Sequence, residues 1–245
     1  MVPFLYLVYS TSSESLTAQT VVAHATSLGV ACVASAIGIR KYAKSNAIVW
    51  KTALIYGVPG AISSFITARI VSQANEAEWV RGAFGLFLLI SAADMARRAF
   101  THRDFTEPRE AHRSSILLLI LVGLAGGVMT SMLGIGGGLI AAPALLYIAR
   151  LPIRMVAPTS LVSVGLSTLS GTLSYLIAPN PPPISSLMAG WIDLRMAIPL
   201  AIGAVCTVPL GVYLNRASRP ATLYWVFSVL LTMVGIRLIW QGWGW

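Results

Sequence analysis

The sequence predicts an all-α polytopic membrane protein made of two inverted repeats. Each repeat has a short broken or re-entrant helix and three membrane-spanning helices, and the first is incomplete at its N-terminus. Three observations predict this. Of 245 residues, 56% are hydrophobic and only 10% are charged, against about 25% charged in an ordinary soluble domain, which is too few to clothe a water-facing surface. Apolar runs near the roughly 20 residues that a helix needs to cross a bilayer core recur along the whole chain. The two halves also match when laid over one another, as the halves of many transport proteins do.

The apolar runs cover Val21 to Ile39, Ile48 to Ile70, Trp79 to Ala96, Ile116 to Ala149, Val156 to Ile177, Trp191 to Leu214 and Thr222 to Trp240. They are continuous rather than alternating and too long for barrel strands, so strands are set aside. The run from Ile116 to Ala149 is uncharged over 34 residues, about 51 Å as one straight helix, and overshoots a core of about 30 Å. It must break. The break is written at Gly134-Ile135-Gly136-Gly137-Gly138, because each glycine weakens a helix by about 1 kcal/mol relative to alanine. Trp79, Trp191, Trp240, Trp243 and Trp245, at segment ends, fit an interfacial aromatic belt. Pro179 to Pro183 reads as a stiff extended loop.

The repeat rests on named pairs. Thr26-Ser27-Leu28 overlies Thr159-Ser160-Leu161, Tyr42 overlies Tyr175, and Ile48, Lys51 and Ala53 overlie Ile192, Arg195 and Ala197. Val2 to Leu7 overlies Ala142 to Tyr147, just past the second half's glycine run. The first half thus begins in mid-motif, and an upstream glycine-rich segment is expected, either preceding Met1 or lost. One membrane domain over 1–245 is expected, with repeat 1 over 1–99, a basic cytoplasmic loop over 100–113 and repeat 2 over 114–245.

The net charge of +9 comes from 17 Lys and Arg scattered singly between apolar runs, not from a basic stripe interleaved with aromatics, so no nucleic-acid partner is expected. Their placement discriminates between topologies. If Ile116 to Ala149 folds back as a hairpin, Arg40, Lys41, Lys44, Lys51, Arg97, Arg98, Arg103, Arg109, Arg113, Arg150, Arg154, Arg216 and Arg219 share one side, 13 against 4. A single crossing gives 11 against 6. The positive-inside tendency favours the hairpin, hence inverted halves, in a multi-pass protein of the inner (plasma) membrane. Cys32 and Cys206 both fall in apolar runs, which argues against a disulfide framework, and no metal or other cofactor is expected.

Gly134-Ile135-Gly136-Gly137-Gly138-Leu139-Ile140, the following Pro143, and Ala157-Pro158-Thr159-Ser160-Leu161 resemble the TauE/SafE family of membrane permeases. Ala23-His24-Ala25-Thr26-Ser27-Leu28 is similar to that family's first Thr-Ser motif. The resemblance covers nearly the whole chain except the first glycine run. It implies export or uptake of small sulfur-containing or organic anions, such as sulfite, thiosulfate and organosulfonates.

The residues suit such a cargo on their own chemistry. A half-helix beginning near Gly138 points a partial positive charge of about +0.5 into the membrane interior, where an oxyanion can take its free N–H groups. No cation lies between Ser114 and Ala149 to compete with it. Ser131, Thr159, Ser160, Thr26 and Ser27 supply hydroxyl donors, and His24 could carry a proton. The candidate substrate-binding set is therefore Ser131, Gly134, Gly136, Gly137, Gly138, Thr159, Ser160, Thr26, Ser27 and His24. Structural readings stand beside it: glycines permit close helix packing, membrane Ser and Thr often bond back one turn, and His24 can be a neutral hydrogen-bonded side chain. An intramembrane enzyme would need a nucleophile with an oriented base, or grouped metal ligands, and no such pattern is found, so no enzyme is expected. A membrane scaffold is the third reading. The expected partners are a small anion and the lipid bilayer, with a homo-oligomer left open.

Overall fold

The computed structural model describes residues 16–71, 86, 89–97, 116–133, 138–181 and 186–242. Its helices are α1 (Leu16–Ala43), α2 (Trp50–Val71), α3 (89–97), α4 (Ile116–Leu133), α5 (Gly138–Tyr147), α6 (Ile153–Ile177), α7 (Leu194–Ala217) and α8 (Pro220–Gly242). Four of them contain stretches long and apolar enough to cross a membrane: Val21–Ala43, Trp50–Ile70, Ile153–Ile177 and Leu194–Ala217. The chain is an all-α membrane protein.

The polarity of the bundle runs opposite to that of a soluble protein. Large apolar side chains face outward, among them Ile62, Ile66, Leu117, Leu121, Leu173 and Ile202, while Ser64, Thr130, Ser131, Ser163, Thr168 and Ser174 are buried. Between helices in lipid, small side chains allow close approach and hydroxyls find carbonyls to bond. Two interfaces show this. A Cβ on Gly123 would overlap the Tyr56 carbonyl, and one on Gly127 would overlap the Gly60 carbonyl and the Ser63 hydroxyl, so α2 and α4 meet backbone to backbone. Against α6, α2 instead accepts a ladder: Ser163, Ser170 and Ser174 donate to the carbonyls of Ala53 (3.1 Å), Ala61 (2.6 Å) and Phe65 (2.9 Å).

These contacts fix the sense of each helix. Along both interfaces the numbers rise together, so α4 and α6 each run parallel to α2. Gly38 lies against Leu161, Gly165 against Ser35 and Gly29 against Thr172, so α1 and α6 run antiparallel. Because α4 and α6 share one sense, the chain reverses between them, and α5 carries it back over about 15 Å. A five-residue link joins α5 to α6. It opens on a helix end in which Arg150 takes a positive φ of 51° and Leu151 N–H donates to the Leu145 carbonyl at 3.0 Å. Together with the six-to-one bond from Ala149 N–H to the Ala144 carbonyl at 3.2 Å, it stops α5.

Exits from α1 and α6 are alike. Asn46 (φ 49°) and Asn180 (φ 54°) take the left-handed conformation soon after Tyr42 and Tyr175, as asparagine does more readily than other side chains. Beyond Asn180 lies a feature that corrects the expectation of no strands. Met188–Ala189 and Ile192–Asp193 form an antiparallel hairpin, in register Met188 to Asp193 and Ala189 to Ile192. Two residues per strand carry no hydrophobic alternation to read. At its turn Gly190 has φ +56° and sits against the carbonyls of Tyr175 and Leu176. Trp191 N–H donates to the Tyr175 carbonyl at 3.2 Å and its indole to the Pro179 carbonyl at 3.1 Å. Trp191 is thus 7% exposed, a cap on the open end of α6 rather than a member of an aromatic belt. Trp79, Trp243 and Trp245, and the loop over 100–113, lie outside the described residues.

Candidate functional site

Matched positions of the two halves hold each other. Thr26 Oγ1 accepts the backbone N–H of Asp193 at 3.0 Å, and Thr159 Oγ1 accepts the backbone N–H of Val49 at 3.2 Å. Thr26 overlies Thr159, and Val49 overlies Asp193 in the register of Ile48 on Ile192. Each threonine therefore latches the other half's helix start, where backbone donors lack intrahelical partners. The apolar surroundings repeat the exchange. Leu28, Ala68, Tyr175 and Ile192 pack in one cluster, and their counterparts Leu161, Val212, Tyr42 and Ile48 in another.

Helix ends are exchanged too. Arg216 donates to the Lys41 carbonyl and Ser45 Oγ at the end of α1, both at 2.7 Å, with its guanidinium 5.4 Å from the Tyr42 ring. Arg69 donates to the Ile177 carbonyl at the end of α6 at 3.0 Å. A cation beside the last carbonyls of a helix offsets its dipole.

The end of α4 reaches only one of these junctions. Ser131 and Ser64 hydroxyls are 2.8 Å apart, Ser131 Oγ donates to the Ser64 carbonyl (2.7 Å), and Ser64 Oγ donates to the Ser167 carbonyl (2.8 Å). Tyr175 OH donates to the Ser131 carbonyl at 3.2 Å. A Cβ on Gly171 would meet Leu28, Ser64 and Ser131 together, so α1, α2, α4 and α6 converge there. Met132, in the next position, packs on the cluster of Val22, Ala25 and Leu28. Ser64 stands fourteen residues into α2, about 21 Å from its start, so α4 ends well inside a core of about 30 Å.

The sequence candidates fall into two places. His24, Thr26 and Ser27 are buried on α1 at the level of the α4 end, with Ser131. Thr159 and Ser160 lie at the level of Val49, twelve α6 residues from Gly171 and so about 18 Å away; one small anion cannot touch both groups. Gly138 opens α5, and Gly134, Gly136 and Gly137 lie outside the described residues. Ser160 Oγ donates to the Ala157 carbonyl at 3.0 Å, bonding back within its own helix. Ser131 spends its proton on α2. Thr26 and Thr159 accept in the bonds to Asp193 and Val49, so neither bond uses the hydroxyl proton.

Asp193, held by Thr26, brings a carboxylate to this junction. Its carboxylate accepts Arg195 N–H at 3.0 Å, turned into the N-terminus of α7, where the helix dipole favours it. Neither α4 nor α5 contains a charged residue. Sequence reasoning missed the α6 stripe of Ser163, Ser167, Ser170 and Ser174. Its spacing of four, three and four is the signal of one helix face.

Comparison with known proteins gives a concordant result. The model of the family described as sulfite exporter TauE/SafE matches residues 1–238. A probable membrane transporter protein of Methanocaldococcus jannaschii is 28% identical over 214 residues, 87% of this chain and 77% of that one. The probable membrane transporter protein YunE of Bacillus subtilis is 24% identical over 82% of this chain and 74% of its own. A further one, from Xylella fastidiosa strain Temecula1, is 25% identical over 88% and 81%. No solved structure matches.

Proposed function

The chain belongs to the sulfite exporter TauE/SafE family, and from that membership we propose that it is a multi-pass membrane transporter of small anions such as sulfite, thiosulfate or organosulfonates, acting as an exporter. The relatives named as probable membrane transporters support transport. The observation that carries the anion is α5: ten uncharged residues, with an N-terminus that points into the bundle interior. Its opening N–H groups and partial positive charge make a neutral receptor that binds an oxyanion and lets it leave. A buried Lys or Arg would hold it harder.

The halves, 1–99 and 114–245 around a cytoplasmic basic loop at 100–113, are inverted copies in this reading. Antiparallel α1 and α6, the reversal between α4 and α6, and the exchanged threonine latches support it, since reciprocal contacts are the mark of a two-fold relation. α4 and α5 then form a re-entrant hairpin. The side on which α1, α5 and α7 end carries Arg40, Lys41, Lys44, Arg150 and Arg216, which makes it the cytoplasmic face of an inner membrane.

Flux of labelled sulfite, thiosulfate and a simple sulfonate in proteoliposomes tests the function. Wild type is expected to carry at least one of them, and Gly137→Leu to carry none while remaining folded, because its side chain fills the space where backbone meets ligand. Background flux for all three anions with the wild type would overturn the reading.

A further inference from the structure

Among the described residues, Tyr56 is the one from α2 in the buried cluster that α5 forms with the start of α6 and with α8, through Ile140, Ala141, Leu145 and Val156. The residue is 3% exposed, and its hydroxyl has no hydrogen-bond partner among the described residues. A buried phenol ordinarily finds a partner, because a hydroxyl stripped of water and left unmatched opposes folding. Phenylalanine would fill the same space without that penalty.

The surroundings make room for the oxygen specifically. A Cβ on Gly126 of α4 would overlap the Tyr56 hydroxyl, so the bare glycine accommodates the O–H as well as the ring. Depth agrees with this. Gly57 stands against Ser163, while α5, rising about 15 Å back from the start of α6, brings Gly138 to about the level of residue 162. The hydroxyl and the N-terminus of α5 thus share one depth, on the α5 side of the α2–α4 crossing.

We infer that the Tyr56 hydroxyl is a ligand of the transported anion, donating a hydrogen bond to one oxygen of an oxyanion whose other oxygens take the N–H groups of the first turn of α5. This rests on the transport reading above and adds a side chain to it. The ligand class is a small oxyanion with several acceptor oxygens, such as sulfite or thiosulfate, because every group offered is a neutral donor. The anion then supplies the acceptor for this hydroxyl.

Wild type and Tyr56→Phe, purified side by side, test it through proteoliposome flux of labelled sulfite and thiosulfate and through thermal unfolding with and without each anion. The Phe variant is expected to be at least as stable as wild type without anion, to lose the stabilisation that anion gives, and to show flux reduced at least tenfold below saturation with KM raised. Wild-type KM and rate in the Phe variant would overturn the inference while leaving transport intact. A Phe variant that fails to fold would also overturn it, by making the hydroxyl structural. Wild type that neither moves nor is stabilised by either anion would overturn the transport reading as well, an outcome distinct from the other two.

Discussion

The Thr26 junction and the Thr159 junction use one bond in two settings. In both, a threonine hydroxyl on one half accepts the N–H that starts a helix of the other half. At the Thr26 junction the held residue is Asp193, whose carboxylate also caps α7 through Arg195 N–H; at the Thr159 junction it is Val49, with no side-chain acceptor to add. The end of α4 packs beside Thr26 through Met132, whereas no described residue of α4 or α5 belongs to the cluster of Tyr42, Ile48 and Val162 near Thr159. The shared bond is therefore architecture. The difference lies in what is brought to it: among the described residues, the end of α4 packs beside the Thr26 junction and not beside the other.

The largest test of that contrast removes the neighbour. Gly127→Leu forces α4 away from the Gly60 carbonyl, and is expected to cost about 3 kcal/mol or more, read as loss of the monodisperse peak in size-exclusion chromatography. Folded Gly127→Leu protein with wild-type flux would remove the α4 brace from the account. Next come Thr26→Val and Thr159→Val, each leaving a buried backbone N–H unmatched at about 1–3 kcal/mol, seen as similar falls in thermal stability. Clearly unequal falls would dissolve the shared structural role of the two junctions. Smallest are the caps. Asp193→Ala is expected to lose about 1 kcal/mol, and Val49→Asp to gain up to about 1 kcal/mol by adding at α2 the acceptor that α7 already has. Thermal unfolding of the two variants compares them directly.

Much of this was legible in the chain. Low charge content, the lengths of the apolar runs and the glycine cluster mark the segments, including the end of α4 at Leu133 and the start of α5 at Gly138, because span length and helix propensity are local properties. The matched pairs Thr26 with Thr159 and Ile48 with Ile192 point to the repeat. That matched residues serve the opposite half was not legible, since the partner of a buried hydroxyl depends on which helices meet. Trp191 was misread for a related reason: a tryptophan at a segment end looks the same whether it meets lipid or caps the carbonyl of Tyr175. The α6 serine stripe was visible in its spacing, but bonds to α2 carbonyls leave no trace in the residues of α2. Tyr56 was hidden entirely, because an unmatched hydroxyl exists only in three dimensions.

The inverted, cross-latched arrangement is tested most directly by side-specific labelling of single cysteines at Lys44 and Pro181, exposed residues beyond the ends of α1 and α6, in a background where Cys32 and Cys206 are replaced by alanine. Inverted halves place Lys44→Cys at the cytoplasmic face and Pro181→Cys at the opposite one, so an impermeant reagent added to sealed, right-side-out vesicles labels only the second. Labelling of both from the same face would mean a single crossing through α4 and α5 with parallel halves, and would contradict the account.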